Sequence, residues 1–214
     1  MKFALNIPLA RIQPGNGEAA GNEVRNLVRA LEEGGLDACL TSEHPAPSAH
    51  WLHNDPGGHD CTDPLTAFAY VAACTAKLKL FTNVIVLPYR NPFLLAKAAA
   101  TLQILSGGRL MLGVGVGYQQ EEFEALGVSY AERGALADEA LETIRQIWAG
   151  GEVVRQGRHF NAPGNESRPP HPHHRRSGLA AAATGRWSAP RGLVMAGCPI
   201  SPCPPTIRWC AALP

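Results

Sequence analysis

An acidic–histidine pair, Glu43-His44, closes the short apolar run Ala38-Cys39-Leu40-Thr41-Ser42 and is followed at once by Pro45. Histidine titrates near neutral pH, so His44 could accept or deliver a proton in a reaction. A histidine that only caps a strand end would look the same, and the residues alone leave both readings open. Residues 45–60 add His50, Trp51, His53 and His59. A metal site from these is not expected, because no acidic partners stand at ligand spacing. The run Gly113-Val114-Gly115-Val116-Gly117-Tyr118 invites a dinucleotide-fingerprint reading. Such a fingerprint opens a helix early in a βαβ unit, whereas this run closes a strand and leads into polar Gln119-Gln120-Glu121. Its small residues suit a backbone that approaches a bound group closely. The six cysteines contain no CxxC pair. Cys39 and Cys74 lie in apolar segments and read as buried thiols, and Cys198 and Cys203 lack a second ligand pair.

The elements that must position these residues can be read from periodicity. Residues 2–8 are a first strand. Residues 23–35 place Val24, Leu27, Val28 and Leu31 on one helical face. The strand ending at Glu43 follows, then a loop over residues 46–62. Asp63-Pro64 is an N-cap followed by a proline that opens a helix, with Leu65, Phe68 and Ala72 inward. Residues 79–87 form a continuous β-branched run, the mark of a parallel strand buried on both faces. Asn91-Pro92 repeats the helix-opening pattern for a helix to residue 106, and residues 107–109 turn out of it. Residues 110–116 are a fourth buried strand. A helix over 131–148 turns Leu136, Ala140, Ile144 and Ile147 inward, and residues 151–160 suggest a small hairpin. Strand and helix alternate four times, which predicts an α/β fold with a parallel sheet, either open or closed into a barrel.

The chain has 214 residues, 45% of them hydrophobic, which suffices for one domain but is short for an eightfold barrel of about 250 residues. No apolar window reaches about 20 residues, so no membrane span is expected. The N-terminus reads as a strand rather than a signal peptide, and a cytoplasmic protein is expected. Residues 1–163 carry 13 Lys plus Arg against 17 Asp plus Glu, a net of −4, while residues 164–214 carry six Arg and one Glu, a net of +5. The tail also holds nine of the 18 prolines. We therefore expect a boundary near residue 164, between an α/β domain (1–163) and an irregular tail (164–214). Residues 192–195 are the one strand-like stretch in that tail. No basic, aromatic-interleaved patch suggests nucleic acid.

Residues 41–45 (TSEHP), residues 63–118 with the linked pieces NPFLLAKAAATLQILSGGR and LGVGVGY, and then EEFEALGV and ERGALADEALETIRQIW resemble the luciferase-like monooxygenase superfamily, in its branch of F420-dependent oxidoreductases. The resemblance covers roughly residues 2–163. It implies a (β/α)8 TIM barrel, of which about the first four β/α units are present, with the cofactor at the C-terminal mouth of the strands. It implies coenzyme F420, with FMN the alternative, and a small-molecule substrate. His44 matches the family's strand-2 acidic–His pair, where relatives commonly have Asp in place of Glu43, and that histidine handles protons at the ring. Asn83-Val84 aligns with a bulge that relatives often build around a non-proline cis peptide. Glu43, His44, Asn83, Val84, Gly115, Gly117 and Tyr118 are the residues expected against the cofactor. Tyr118 occupies the position where sugar-phosphate dehydrogenases of the superfamily carry an acidic catalytic residue, which argues against that chemistry here.

Relatives continue for about a hundred further residues, through barrel strands five to eight. The change of composition suggests a shifted reading frame or a truncation near residues 165–170. A half barrel would leave the first and fourth strands as open edges. Such a chain would pair as a homodimer, aggregate, or lack turnover.

Overall fold

The first strand, β1 (Ala4–Asn6), leads through α1 (Gly17–Glu33) to β2 (Ala38–Thr41), which runs parallel to it, pairing Leu5 with Cys39. In this computed structural model the described residues are 3–7, 17–55, 58–59, 61–168 and 194–196. After β2 come α2 (Ala49–Asn54), α3 (Pro64–Cys74), β3 (Lys79–Thr82), β4 (Ile85–Val86), α4 (Pro92–Leu105), β5 (Leu110–Gly115), α5 (Gln120–Ala125), α6 (Arg133–Ala149), β6 (Val153–Gln156), β7 (Asn161–Asn165) and β8 (Val194–Ala196). Strands β1, β2, β3 and β5 are parallel neighbours in that order, and β4 pairs with the C-terminal half of β5. This is the expected α/β pattern of four strand–helix units. No helix among the described residues is long and apolar enough to cross a membrane.

Local chemistry accounts for the helix starts. Asp63 Oδ1 accepts the Thr66 N–H at 2.8 Å with Pro64 in the first turn, and Asn91 Oδ1 accepts the Phe93 N–H at 2.9 Å ahead of Pro92. The inward faces of these helices meet the strands in one core that includes Val28, Phe68, Leu80, Leu95, Leu112 and Ile144, all 5% exposed or less. The Cys39 thiol lies in it, and burial pushes its pKa up to about 12, which makes it unreactive.

Several expectations are corrected. The run over residues 79–87 is not one strand: it breaks at a cis Asn83-Val84 bond into β3 and β4, and Leu87–Tyr89 form a 3-10 turn. Thr82 explains the interruption. Its hydroxyl donates to the Gly113 carbonyl and accepts the Gly113 N–H, both at 2.8 Å, taking the place of a ladder pair. The loop over 46–62 contains α2, a short helix without buried residues, started by Ser48 Oγ accepting the Trp51 N–H at 3.2 Å. With no apolar stripe, it left no periodic signal. Helix α1 begins at Gly17, six residues before the expected start at residue 23, and the segment after Tyr118 folds as α5. In α6 Ala137 is fully buried while Leu136 is half-buried. The hairpin pairs β6 with β7 and so extends to Asn165, because Glu139 of α6 accepts the His159 and Phe160 N–H groups and fixes the turn there. The fourth barrel strand is not an open edge: β8 pairs antiparallel with β5, Gly113 opposite Met195. Its span, Val194–Ala196, overlaps the strand-like stretch at 192–195. Residues 169–193 and 197–214, with Cys198, Cys203 and Cys210, lie outside the described residues.

Arg109 fastens three elements together. Its guanidinium donates to the carbonyls of Ala72, Thr75, Leu78 and Ser106 at 2.7–3.0 Å and to the Thr75 hydroxyl at 2.9 Å. These include carbonyls that end α3, which cationic donors satisfy well. Arg109→Ala is expected to lower the unfolding free energy by about 2 kcal/mol, measured by urea denaturation. An unchanged midpoint would show that water replaces the clasp at no cost.

Candidate active site

His44 lies just beyond the C-terminal end of β2 and is 8% exposed. Its Nδ1 is 3.2 Å from Glu122 Oε2, and Glu122, on α5, is 1% exposed. The carboxylate also accepts the Tyr89 hydroxyl at 3.1 Å and the Ala46 N–H at 3.3 Å. The Glu122 side chain thus acts as an acceptor for two donors, and in accepting from His44 as well it places the proton on His44 Nδ1. The lone pair is thereby left on Nε2. Tyr118 Oη lies 3.4 Å from Nε2, and the Gln119 amide is 3.3 Å from Nδ1.

Burial holds the His44 pKa below its ordinary value, more strongly than Glu122 raises it, and His59 lowers it further. His44 is therefore a neutral imidazole at neutral pH, with Nε2 free to act as a base. The stability consequence has a definite sign. The unfolded histidine takes up a proton near pH 6.5, and the folded one only at lower pH. Stability therefore falls as pH drops below about 6.5, by at most about 1.4 kcal/mol per unit. The difference in unfolding free energy between the parent and His44→Gln, followed from pH 7 to pH 5, is expected to shrink. A constant difference would mean that His44 does not titrate between the two states.

Glu43 is buried beside it, but its oxygens are committed inside the fold. Oε2 accepts the Val86 N–H and Oε1 the Arg90 Nε–H, both at 2.6 Å. Burial pushes its pKa up, and Arg90 pulls it back. Arg90 also pairs with Asp63. Glu43 thus braces β4 rather than facing the open side of the site. Asn83 is exposed and Val84 half-buried at the break between β3 and β4, beside the β2 end, where the Asn83 N–H donates to the Thr41 carbonyl at 2.8 Å. The cis bond expected at this position is present.

The glycines serve packing first. A Cβ on Gly115 would lie 2.8 Å from Val84 Cγ2. One on Gly117, whose φ is +78°, would lie 2.7 Å from Val86 Cγ1 and 2.9 Å from the Phe123 ring. The space read in the sequence as room for a bound group is thus filled on that side by the neighbouring strand. Only the backbone of these glycines remains to face the mouth.

The structure brings His44, Asn83, Val84, Gly117 and Tyr118 to one end of the sheet, the C-terminal ends of β2, β3–β4 and β5. Sequence reasoning missed Glu122, Tyr89, Gln119 and Arg90. The signal available for Glu122 was its place next to Phe123 on the inward face of QEEFEALG. Trp51, on α2, and His59 also reach the site: their rings are 4.7 Å and 5.0 Å from that of His44. His59 Nε2 is 3.2 Å from Ser42 Oγ. No group of three or more metal-ligating side chains occurs among the described residues.

A parallel sheet whose strand ends gather a carboxylate-oriented histidine, a tyrosine and a backbone break describes an α/β scaffold of the barrel type. The luciferase-like monooxygenase family model matches residues 1–193, and the chain belongs to that family. It is 38% identical over 146 residues to an F420-dependent glucose-6-phosphate dehydrogenase of Kineococcus radiotolerans, covering 66% of this chain and 41% of that protein. Among solved structures it resembles a monooxygenase from Streptomyces bottropensis, with 30% identity and a TM-score of 0.66, covering 80% of this chain and 50% of the other. The oxygenating constituent of a diketocamphane monooxygenase from Pseudomonas putida, in complex with FMN, has the same fold at 21% identity and a TM-score of 0.62, covering 81% of this chain and 46% of that one. The chain spans well under half the length of the curated relatives it matches, 41–42%.

Proposed function

We propose that residues 1–163 carry the ring-binding and proton-handling part of an oxidoreductase that uses coenzyme F420, transferring a hydride between it and a small organic substrate. The observation that carries this reading is the Glu122–His44–Tyr118 arrangement at the strand ends, a neutral imidazole held with Nε2 toward the open side. The residues present fit a flat heteroaromatic ring: exposed Asn83 and half-buried Val84 offer it a floor, and buried His44 stands at its edge. When bound, the deazaflavin supplies the hydride acceptor or donor. Glu122 keeps Nδ1 protonated, and His44 Nε2 accepts the substrate hydroxyl proton or returns it. Trp51 and Tyr118 exclude water from that atom. FMN with monooxygenation is the second reading, favoured by the likeness to the Streptomyces bottropensis monooxygenase.

A fluorescence titration of the purified chain with F420, and with FMN alongside, tests the proposal. Saturable binding of F420 in the micromolar range with none of FMN supports it, and the reverse result supports the second reading. Binding of neither by a folded chain overturns both. A homodimer would bring a second copy to the mouth, and sedimentation with and without the bound cofactor reads this out.

A further inference from the structure

Four rings line one side of the candidate site. Trp51 lies 4.7 Å from His44 and 5.2 Å from His59, and Tyr118 lies 5.8 Å from His44 and 6.5 Å from Trp51, all between ring centroids. Tyr118 is 62% exposed although its hydroxyl reaches inward to His44. A large ring held exposed at the mouth presents a face on which another flat ring can stack. The charges point the same way. Arg90, the arginine at this site, is held between Glu43 and Asp63. The imidazole is neutral, and Glu122 is a buried carboxylate. A phosphorylated or carboxylated substrate would meet no uncommitted cation in this set of residues and would be repelled by the acids. What the set does offer is one donor–acceptor pair, the Tyr118 hydroxyl and His44 Nε2. At 3.4 Å their mutual hydrogen bond is long, so both can turn to a single substrate oxygen.

We infer that the substrate is a neutral, planar aromatic or conjugated ring bearing one hydroxyl, stacked on the exposed Tyr118 ring with its edge toward Trp51, whose plane stands at 68° to that of Tyr118, and with the hydroxyl accepting from Tyr118 and donating to His44 Nε2. The inference rests on the proposed function for the site's location and departs from the sugar phosphate that names the Kineococcus radiotolerans relative.

Isothermal titration of the full chain with 1-(2-naphthyl)ethanol, with glucose 6-phosphate as the charged comparator, tests it, in parallel with the F420 and FMN titrations. The naphthyl alcohol is expected to bind and the sugar phosphate not to. Trp51→Phe is expected to retain the alcohol, and Trp51→Leu to weaken it about tenfold with the thermal midpoint unchanged. Glucose 6-phosphate binding as tightly as the alcohol overturns the inference, as does alcohol affinity indifferent to Trp51→Leu. Cofactor binding without alcohol binding sinks the substrate class alone. Trp51-dependent alcohol binding without cofactor binding sinks the cofactor reading alone, and binding of nothing sinks both.

Discussion

Glu122→Gln is expected to reduce turnover roughly hundredfold while the chain stays folded. The side chains are nearly isosteric: the amide oxygen can still accept the Ala46 N–H, and an NH2 in the place of Oε2 can donate to the Tyr89 hydroxyl. What is lost is the charge that requires the proton on His44 Nδ1. An amide can present either its oxygen or its NH2 group, so the imidazole is free to adopt the other tautomer and remove the lone pair from Nε2. The His44 pKa is also expected to fall further, because the carboxylate that raised it is gone. NMR titration of the His44 ring reads both changes without needing turnover. A variant with the parent's tautomer and rate would show that Glu122 only fills space.

That pair was also where sequence reading ran out. His44 stood out because its residue type is chemically suggestive and it sits at a strand end. Glu122 did not, because its role depends on a contact across 78 residues. The helix starts at Asp63 and Asn91 were legible for the opposite reason: a cap and the N–H it satisfies lie within three residues of each other. Burial pattern located β2 and β5 within a residue or two. It failed over residues 79–87, since a run of β-branched residues looks alike whether the backbone continues or breaks. What divides that run is the Thr82 hydroxyl bonding to a different strand. The short helix α2 was missed for want of a buried face, and with it Trp51 was left without a partner.

Gly113→Ala is expected to be strongly destabilising. An added Cβ would stand 2.2 Å from the Thr82 carbonyl oxygen and 2.9 Å from the Phe81 ring. The first of these is backbone in the middle of the sheet and cannot turn aside. The strands must separate, which breaks the Thr82–Gly113 bonds as well. We expect a loss of roughly 3 kcal/mol or more, a large share of a typical domain's stability. Gly127→Ala is the matched control. Its φ is +67° but nothing lies within 4 Å of the added carbon, so the cost should be only the conformational one, about 1 kcal/mol. Urea denaturation of both variants separates the two effects, and equal losses would mean that β3 and β5 are not so closely apposed.

Arg109 reaches back 31 residues to Leu78 and 37 to Ala72. The end of α3 therefore cannot be secured until the chain has been synthesised through the start of β5. At about 5–20 residues per second, the ribosome leaves that helix end unfastened for a few seconds. Each strand up to that point can dock on the one made before it, so assembly proceeds from the N-terminus, and the guanidinium works as a latch that closes behind the advancing chain.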